Sequence, residues 1–315
     1  MSFTWQYDAP TGVFKNHQMS SKLRMAAIAE CKFMQFVNPE EGYGKAKGES
    51  ITISRVSNIT VPTNGRLLEG TEIPQDELVL STIAITVSEW GRSVPYTSLS
   101  NDLSKFDIGN VIQKKLRDQM ALVMDSAAAD AFQAGKVKAI PSGVASLTFD
   151  TDGTASTTAS VNLNVYHVTQ IRDYMFSTLN IPAYEGGDYM CLISTKAARG
   201  IKNDPDWEVW HKYTDPDKKY NSEIGKLEGI RFIEVNNTAA LSGSLGSGSV
   251  LGEAIFFGDD AVAMAVAQDP ELRTEMPKDF GRSKNVAWYG ILEFGQIWGD
   301  SASAGEARVV HVTSA

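Results

Sequence analysis

The spacing of apolar positions changes several times along the chain, and each change predicts a new element. Residues 1–16 mix aromatics with Pro10 and Gly12 and show no period, which predicts an extended arm. From 20 to 37, Leu23, Ala26, Ala27, Cys31 and Met34 recur at helical spacing, with Ser20 or Ser21 as a cap and Asn38-Pro39 as a stop, so a helix is expected there. Gly42, Gly44 and Gly48 then form a joint. Two β-branched runs follow, ITISRVSNITV (51–61) and LVLSTIAITVSEWG (78–91), separated by the polar, turn-rich PTNGRLLEGTEIPQDE (62–77). They predict a long two-stranded hairpin with an elaborate tip. Such a ribbon is marginal in water by itself, so it is expected to lie against a body or a neighbour.

The most regular helical pattern comes next. Ile108, Ile112, Leu116, Met120, Val123, Ala127 and Ala131 step by three or four, Ser104 and Asp107 resemble a capping box, and Gly135 sits where a C-terminal cap belongs. About 28 residues at 1.5 Å each make a rod of roughly 40 Å. Residues 141–160 are small and polar, a loop or weak hairpin. A helix is expected over 161–179, a buried strand at YMCLIS (189–194), a short helix at 195–203 and a strand at IRFIEV (230–235). Beyond the glycine-serine loop LSGSLGSGSVLG, strands are expected at 254–258, 286–299 and 307–313.

Composition narrows the function classes. Hydrophobic residues are 43% and charged residues 21% of 315, enough for a sizeable core. The net charge of −9, from 29 basic and 38 acidic residues, argues against tight sequence-independent binding to phosphates, which draws on Lys and Arg. Cys31 and Cys191 lack any framework or CxxC spacing, and the first residues lack the basic and apolar regions of a signal peptide. The longest apolar run, 261–267, is far short of a membrane span, so no membrane partner is expected.

No motif in the sequence supports catalysis or metal binding. His17, His167, His211 and His311 are scattered singly, no HExxH or EF-hand loop occurs, and FDTDG (149–153) has only the first acidic positions. There is no GxSxG elbow and no P-loop, and Gly246–Gly252 is one residue off a dinucleotide fingerprint with no helix after it. Asp204/Asp206/Glu208 and Asp215/Asp217 sit around Asp-Pro, where a carboxylate caps its own turn. No catalytic, metal or cofactor residue is therefore assigned. Trp207, Trp210 and Tyr213 are expected as interface or loop anchors, since basic residues do not interleave with them as a base-stacking groove requires.

The order of parts carries a resemblance. Arm, long hairpin, spine helix, compact lobe and β-rich return resemble the major capsid proteins of tailed bacteriophages, a fold also found in encapsulin shells. LLEGTEIPQDELVLSTIAITVSEWGRSVPYTSLSNDLSKFDIGNVIQKKLRDQMALVMDSAAADAF (67–132) looks like the extended-loop-to-spine passage of a podovirus-type subfamily, and IGKLEGIRFIEVNN (224–237) like its axial-domain strand. The resemblance implies an α+β fold: N-arm 1–41, extended loop 42–95, peripheral domain with spine helix 96–140, axial domain 141–258, and a return to the peripheral domain 259–315. It implies an icosahedral shell around double-stranded DNA, built from hexamers and pentamers of the chain in the host cytoplasm and ending in the virion. Implied partners are a scaffolding protein and portal during assembly, packaged DNA through non-specific contact, and optionally a decoration protein. Because the arm begins almost at once, a separate scaffolding protein and no large cleaved propeptide are expected. Residues 62–80 hold Arg66 but no Lys, and Lys45 and Lys47 lie at the hairpin base, so noncovalent shells are expected.

The candidate assembly residues are those of the loop tip, Asn64, Gly65 and Arg66 with Glu69, Glu72 and Asp76, which offer both charge signs to a neighbour. Rival readings are an encapsulin-type nanocompartment, an α/β hydrolytic or nucleotide-processing enzyme, and a tail or decoration protein.

Overall fold

A computed structural model describes residues 25–40, 48–59, 61–62, 64–67, 69–70, 72–205, 207, 222–241 and 252–314. Three sheets and one long helix organise them.

A short helix α1(Ser98–Leu103) precedes the spine helix α2, which runs Ile108–Gln133. Asp107 is its N-cap and accepts from the Asn110 amide, so the cap is one Asp rather than a Ser104 capping box. At the other end Gly135 does not take the left-handed cap conformation expected of it. It is glycine because a Cβ there would lie 2.9 Å from Gln296 Oε1. Gln296 Nε2 donates to the Ala131 and Phe132 carbonyls, both at 2.8 Å, and so closes the helix end from a neighbouring strand.

The helix packs on a four-stranded sheet in the order β1(Asn38–Pro39), β11(Val262–Thr274), β12(Ser283–Gln296), β4(Ser88–Thr97). β12 buries alternate residues along most of its length, including Trp288 and Leu292. β11 was not expected as a strand, because Pro270 interrupts its pattern. It is accommodated where the pairing with β12 slips between Val266 and Glu271, and Gly290 gives the proline ring room.

A seven-stranded mixed sheet follows, in the order β6(Ser146–Asp150), β5(Lys138–Gly143), β13(Val309–Ser314), β10(Gly252–Phe257), β7(Tyr189–Ser194), β9(Ile230–Val235), β8(Glu223–Leu227). One face, with Leu192, Ile233, Ile255, Phe257 and Val309, shares a core with α2 and the four-stranded sheet. The other, with Cys191, Ile193, Phe256 and Val310, is covered by α3(Val165–Asp173) and α4(Thr195–Lys202). Burial on both faces explains the apolar runs at 190–193 of β7 and 254–257 of β10, which show no polar alternation. β13 lies between β10 and β5, and its six residues are all buried.

Gly258 leaves β10 where a Cβ would fall 2.1 Å from the Pro182 carbonyl oxygen and 2.5 Å from Ile181 Cγ2. Backbone cannot yield cheaply, so Gly258→Ala is expected to cost about 1–3 kcal/mol, read as a lower urea midpoint.

Two further expectations are corrected. The described part of the helix expected over 20–37 is not helical: residues 25–32 have no regular structure, and only Met34–Phe36 make a 3-10 turn. Tertiary contacts override the spacing. The Phe33 and Met34 amides donate to Asp125 Oδ1 at 2.8 and 3.3 Å, and the Glu30 amide donates to Asn236 Oδ1 at 2.9 Å. Phe33 and Phe36 enter the core as a strap, and Asn38–Pro39 adds to the edge of β11. The second arm of the hairpin is also divided. β2(Ser50–Val56) pairs with β3(Leu80–Thr86) only, from Ser50↔Thr86 to Val56↔Leu80, and beyond Val87 the chain passes into β4 of the other sheet.

Candidate functional site

The ribbon β2–β3 alternates as the pleat requires. Ile53, Arg55, Ile83 and Ile85 are shielded, while Thr52, Ser54, Thr82 and Ala84 are exposed. Ile85, with Ile51, Ile53 and Val87, packs on Ala263, Ala265 and Ile297 of the body. Beyond Val56 the described tip is irregular and exposed.

Asn64, Gly65, Arg66, Glu69, Glu72 and Asp76 all lie on this exposed tip. Asn64 Oδ1 accepts from the Arg66 amide at 3.1 Å, a local turn, and among the described residues none of the four charged side chains makes an ion pair. Charge reading missed what accompanies them. Val61, Leu67, Ile73, Val79 and Leu80 are large, apolar and exposed, Val61 at 87% and Ile73 at 70%. The signal was present as isolated apolar residues inside a polar, turn-rich stretch.

A second exposed apolar site caps the β11–β12 turn. Asp279 and Phe280 both take φ +52°, Gly281 follows at +92°, and the Phe280 and Met276 side chains stand in solvent. Two successive left-handed non-glycine residues are strained.

Trp207 is buried, its ring 5.9 Å from Phe232 and nearly perpendicular to it. Trp210 and Tyr213 lie outside the described residues.

Several of the polar groups considered for chemistry that lie within the described residues have structural work. His167 is the N3 residue of the α3 capping box: its Nδ1 accepts from the Asn164 amide at 3.3 Å and its Nε2 meets the Gly143 carbonyl at 2.8 Å. Asp204 accepts from the Val165 amide, Asp150 from the Ser156 amide and Asp152 from the Thr154 amide. Among the described residues no three His, Cys, Asp or Glu side chains converge on a metal position, and no helix is long and apolar enough to cross a membrane. Both cysteines are free, and complete burial pushes the Cys191 thiol well up. Asp125 lies wholly inside the core, where burial raises its carboxyl above the usual range while the Phe33, Met34 and Asn237 donors oppose the rise.

One buried cluster is ionisable. Lys138 Nζ donates to the Gln133 carbonyl at the end of α2 at 2.7 Å and meets His311 Nδ1 at 3.3 Å, while His311 Nε2 faces Glu253 Oε1 at 3.8 Å. With Lys138 as donor, Nδ1 is the acceptor and the ring proton sits on Nε2. Burial holds the imidazole below its ordinary range; Glu253 opposes this and the Lys138 ammonium adds to it. The unfolded imidazole takes up its proton near pH 6.5, where the folded one does not. Stability from this site is therefore complete above that pH and declines as pH falls through it. The thermal midpoint is expected to drop between pH 7.5 and about 5.5 by more in the unsubstituted chain than in His311→Gln. Equal drops in a scanning-calorimetry series would refute this.

No protein-family model matches the chain, and no curated protein matches it. Solved structures do match, over nearly the whole length. A chain of the head structure of Helicobacter pylori bacteriophage KHP40 aligns with TM-score 0.70 at 13% identity, covering 95% of both chains. The capsid asymmetric unit of cyanophage Pam1 gives 0.69 at 14%, with 98% of both covered. The capsid of Ralstonia phage GP4 gives 0.66 at 14%, with 100% of this chain and 98% of that one covered. The chain has the α+β fold of these phage capsid chains.

Proposed function

We propose that this chain is the major capsid protein of a tailed phage, self-assembling into the icosahedral shell of the virion, and that it is not an enzyme. The observation that carries the reading is end-to-end correspondence: 95–100% of the chain aligns with phage head and capsid chains, so strap, ribbon, spine helix and both larger sheets are all accounted for. The surface chemistry agrees with it. A ribbon that docks through one face, with a tip carrying large exposed apolar side chains, needs a partner, and copies closing around rotation axes supply one.

In this reading the domains are the N-arm 1–41, extended loop 42–95, peripheral domain 96–140, axial domain 141–258 and return 259–315, with β13 lent back to the axial sheet. Asn64, Gly65, Arg66, Glu69, Glu72 and Asp76 meet neighbouring copies, the charges choosing register and the apolar residues among them supplying most of the adhesion. The podovirus-type subfamily is favoured by the extended-loop-to-spine passage at 67–132. Hexamers and pentamers, a separate scaffolding protein, a portal, non-specifically held double-stranded DNA and a decoration protein complete the set of partners.

The test is the content of particles purified from the cells that make them. Double-stranded DNA released on disruption supports the phage shell. A co-purifying cargo enzyme without DNA would move the chain to the nanocompartment reading.

A further inference from the structure

We propose that the Arg55–Asp300 ion pair is the fulcrum that sets the angle at which the β2–β3 ribbon leaves the body. The consequence for assembly, that this angle decides where the tip meets its neighbour, rests on the shell reading above.

Arg55 is a shielded residue near the end of β2, where the neighbouring pleat positions carry threonine, serine and valine. Both terminal nitrogens of its guanidinium bond to one loop of the body, the segment that follows β12, while its Nε is buried without a hydrogen-bond partner among the described residues. Nη1 donates to the Ile297 carbonyl at 2.8 Å and to Asp300 Oδ1 at 2.5 Å, Nη2 donates to Asp300 Oδ2 at 2.9 Å, and the Trp298 ring lies 4.9 Å from Cζ. The Arg55 side chain is 6% exposed. Two parallel bonds from a planar fork to a carboxylate are satisfied in one relative orientation, so the pair fixes direction as well as distance. Asn58, just past the end of β2, packs on Gly305 of the same loop: a Cβ on that glycine would fall 2.3 Å from Asn58 Nδ2.

The other attachments of the ribbon are packing contacts without a paired hydrogen-bond fork. Ile51, Ile53, Ile85 and Val87 pack with Ala263, Ala265 and Ile297, and Ile85 lies close over Gly295 of β12. Beside the ion pair, between Ile83–Thr86 of the ribbon and Glu293–Gln296 of β12, an open cleft of about 380 Å³ reaches Ala134 and Asp300. The ribbon is thus held at a base and at a clamp, with free volume next to the clamp into which it can swing. Neither Arg55 nor Asp300 belongs to the two large cores, so loosening the pair leaves those cores intact.

The experiment compares the unsubstituted chain with Asp300→Asn, which removes the charge at constant shape, and Arg55→Lys, which keeps the charge and removes the fork. Spin labels are placed at Gln75→Cys on the tip and Lys114→Cys on α2, in a Cys31→Ser background with Cys191 left buried. Distances are read by pulsed electron resonance in unassembled chain or in particles diluted with unlabelled chain. The expected result is one narrow distribution for the parent, and a shifted or broadened one for both variants at an unchanged circular-dichroism spectrum. Narrow, unshifted distances in both variants overturn the proposal. Loss of fold in both overturns it too, because the pair would then serve the body's stability and not the ribbon's angle. Because the distance readout needs no assembly, a parent chain that forms no shells removes the shell reading and leaves the clamp testable. In electron micrographs, Asp300→Asn is expected to give particles of mixed size; uniform parental particles despite broadened distances would overturn the assembly consequence.

Discussion

Deleting residues 63–77 is expected to leave a folded, soluble chain that closes no shells. The segment lies wholly beyond the paired residues Val56 and Leu80, so the ribbon register survives its loss. Its described residues are exposed and belong to neither large core, so the body survives as well. What disappears is the adhesive surface. Burying a Val, Leu or Ile side chain fully is worth about 1.5–3 kcal/mol, and Leu67 and Ile73 go with the deletion. The rim ion pairs available to Arg66, Glu69, Glu72 and Asp76 are worth only ~0–1 kcal/mol each. Apolar contact therefore outweighs charge at the tip. Ile73→Ser should weaken assembly more than Glu72→Gln, with sedimentation as the readout. Particles of normal size and yield from the deletion would refute the role given to the tip.

Phe257→Ala is expected to be the most damaging single change to the body. The Phe257 ring lies 5.3 Å from Phe36 of the strap, 4.9 Å from Phe132 of the spine helix and 6.0 Å from Tyr184. It is fully buried and joins three segments distant in sequence. Truncating such a ring removes its transfer energy and leaves a cavity, together about 3–5 kcal/mol. Against a total stability of roughly 5–15 kcal/mol for a domain, that is a large share. Denaturant unfolding should report the loss, and limited proteolysis should cut the strap around 25–40 sooner. A variant within about 1 kcal/mol of the parent would mean that the ring junction does not hold the strap.

The legible parts of this fold are those whose residues satisfy local and tertiary demands together. The spine helix was readable because Ile112, Leu116 and Met120 repeat on the face that packs on β12. YMCLIS was readable because a strand covered on both faces needs no polar positions, and IRFIEV because its β-branched and aromatic residues stay buried while Arg231 and Glu234 are only partly so. The strap was misread because its helical spacing is satisfied by something else: Phe33 and Phe36 plug a core, and Asp125 takes the backbone bonds that a helix would have used. A lone acid on the apolar side of α2, between Met124 and Ala128, was the available clue. β11 was hidden by Pro270, which only a slipped register tolerates. At the candidate site the charged tip was found from turn chemistry, whereas the exposed apolar residues beside it, the Arg55 clamp and the Phe280 turn were not. Arg55 pairs with Asp300, 245 positions away, a separation that no local pattern reveals.

Electron microscopy of the chain overproduced by itself separates a shell-building protein from the rival readings most directly. Closed shells, tubes, or rings of five and six subunits are expected. A uniform population of monomers or small oligomers, with none of these at any concentration, would contradict the shell reading.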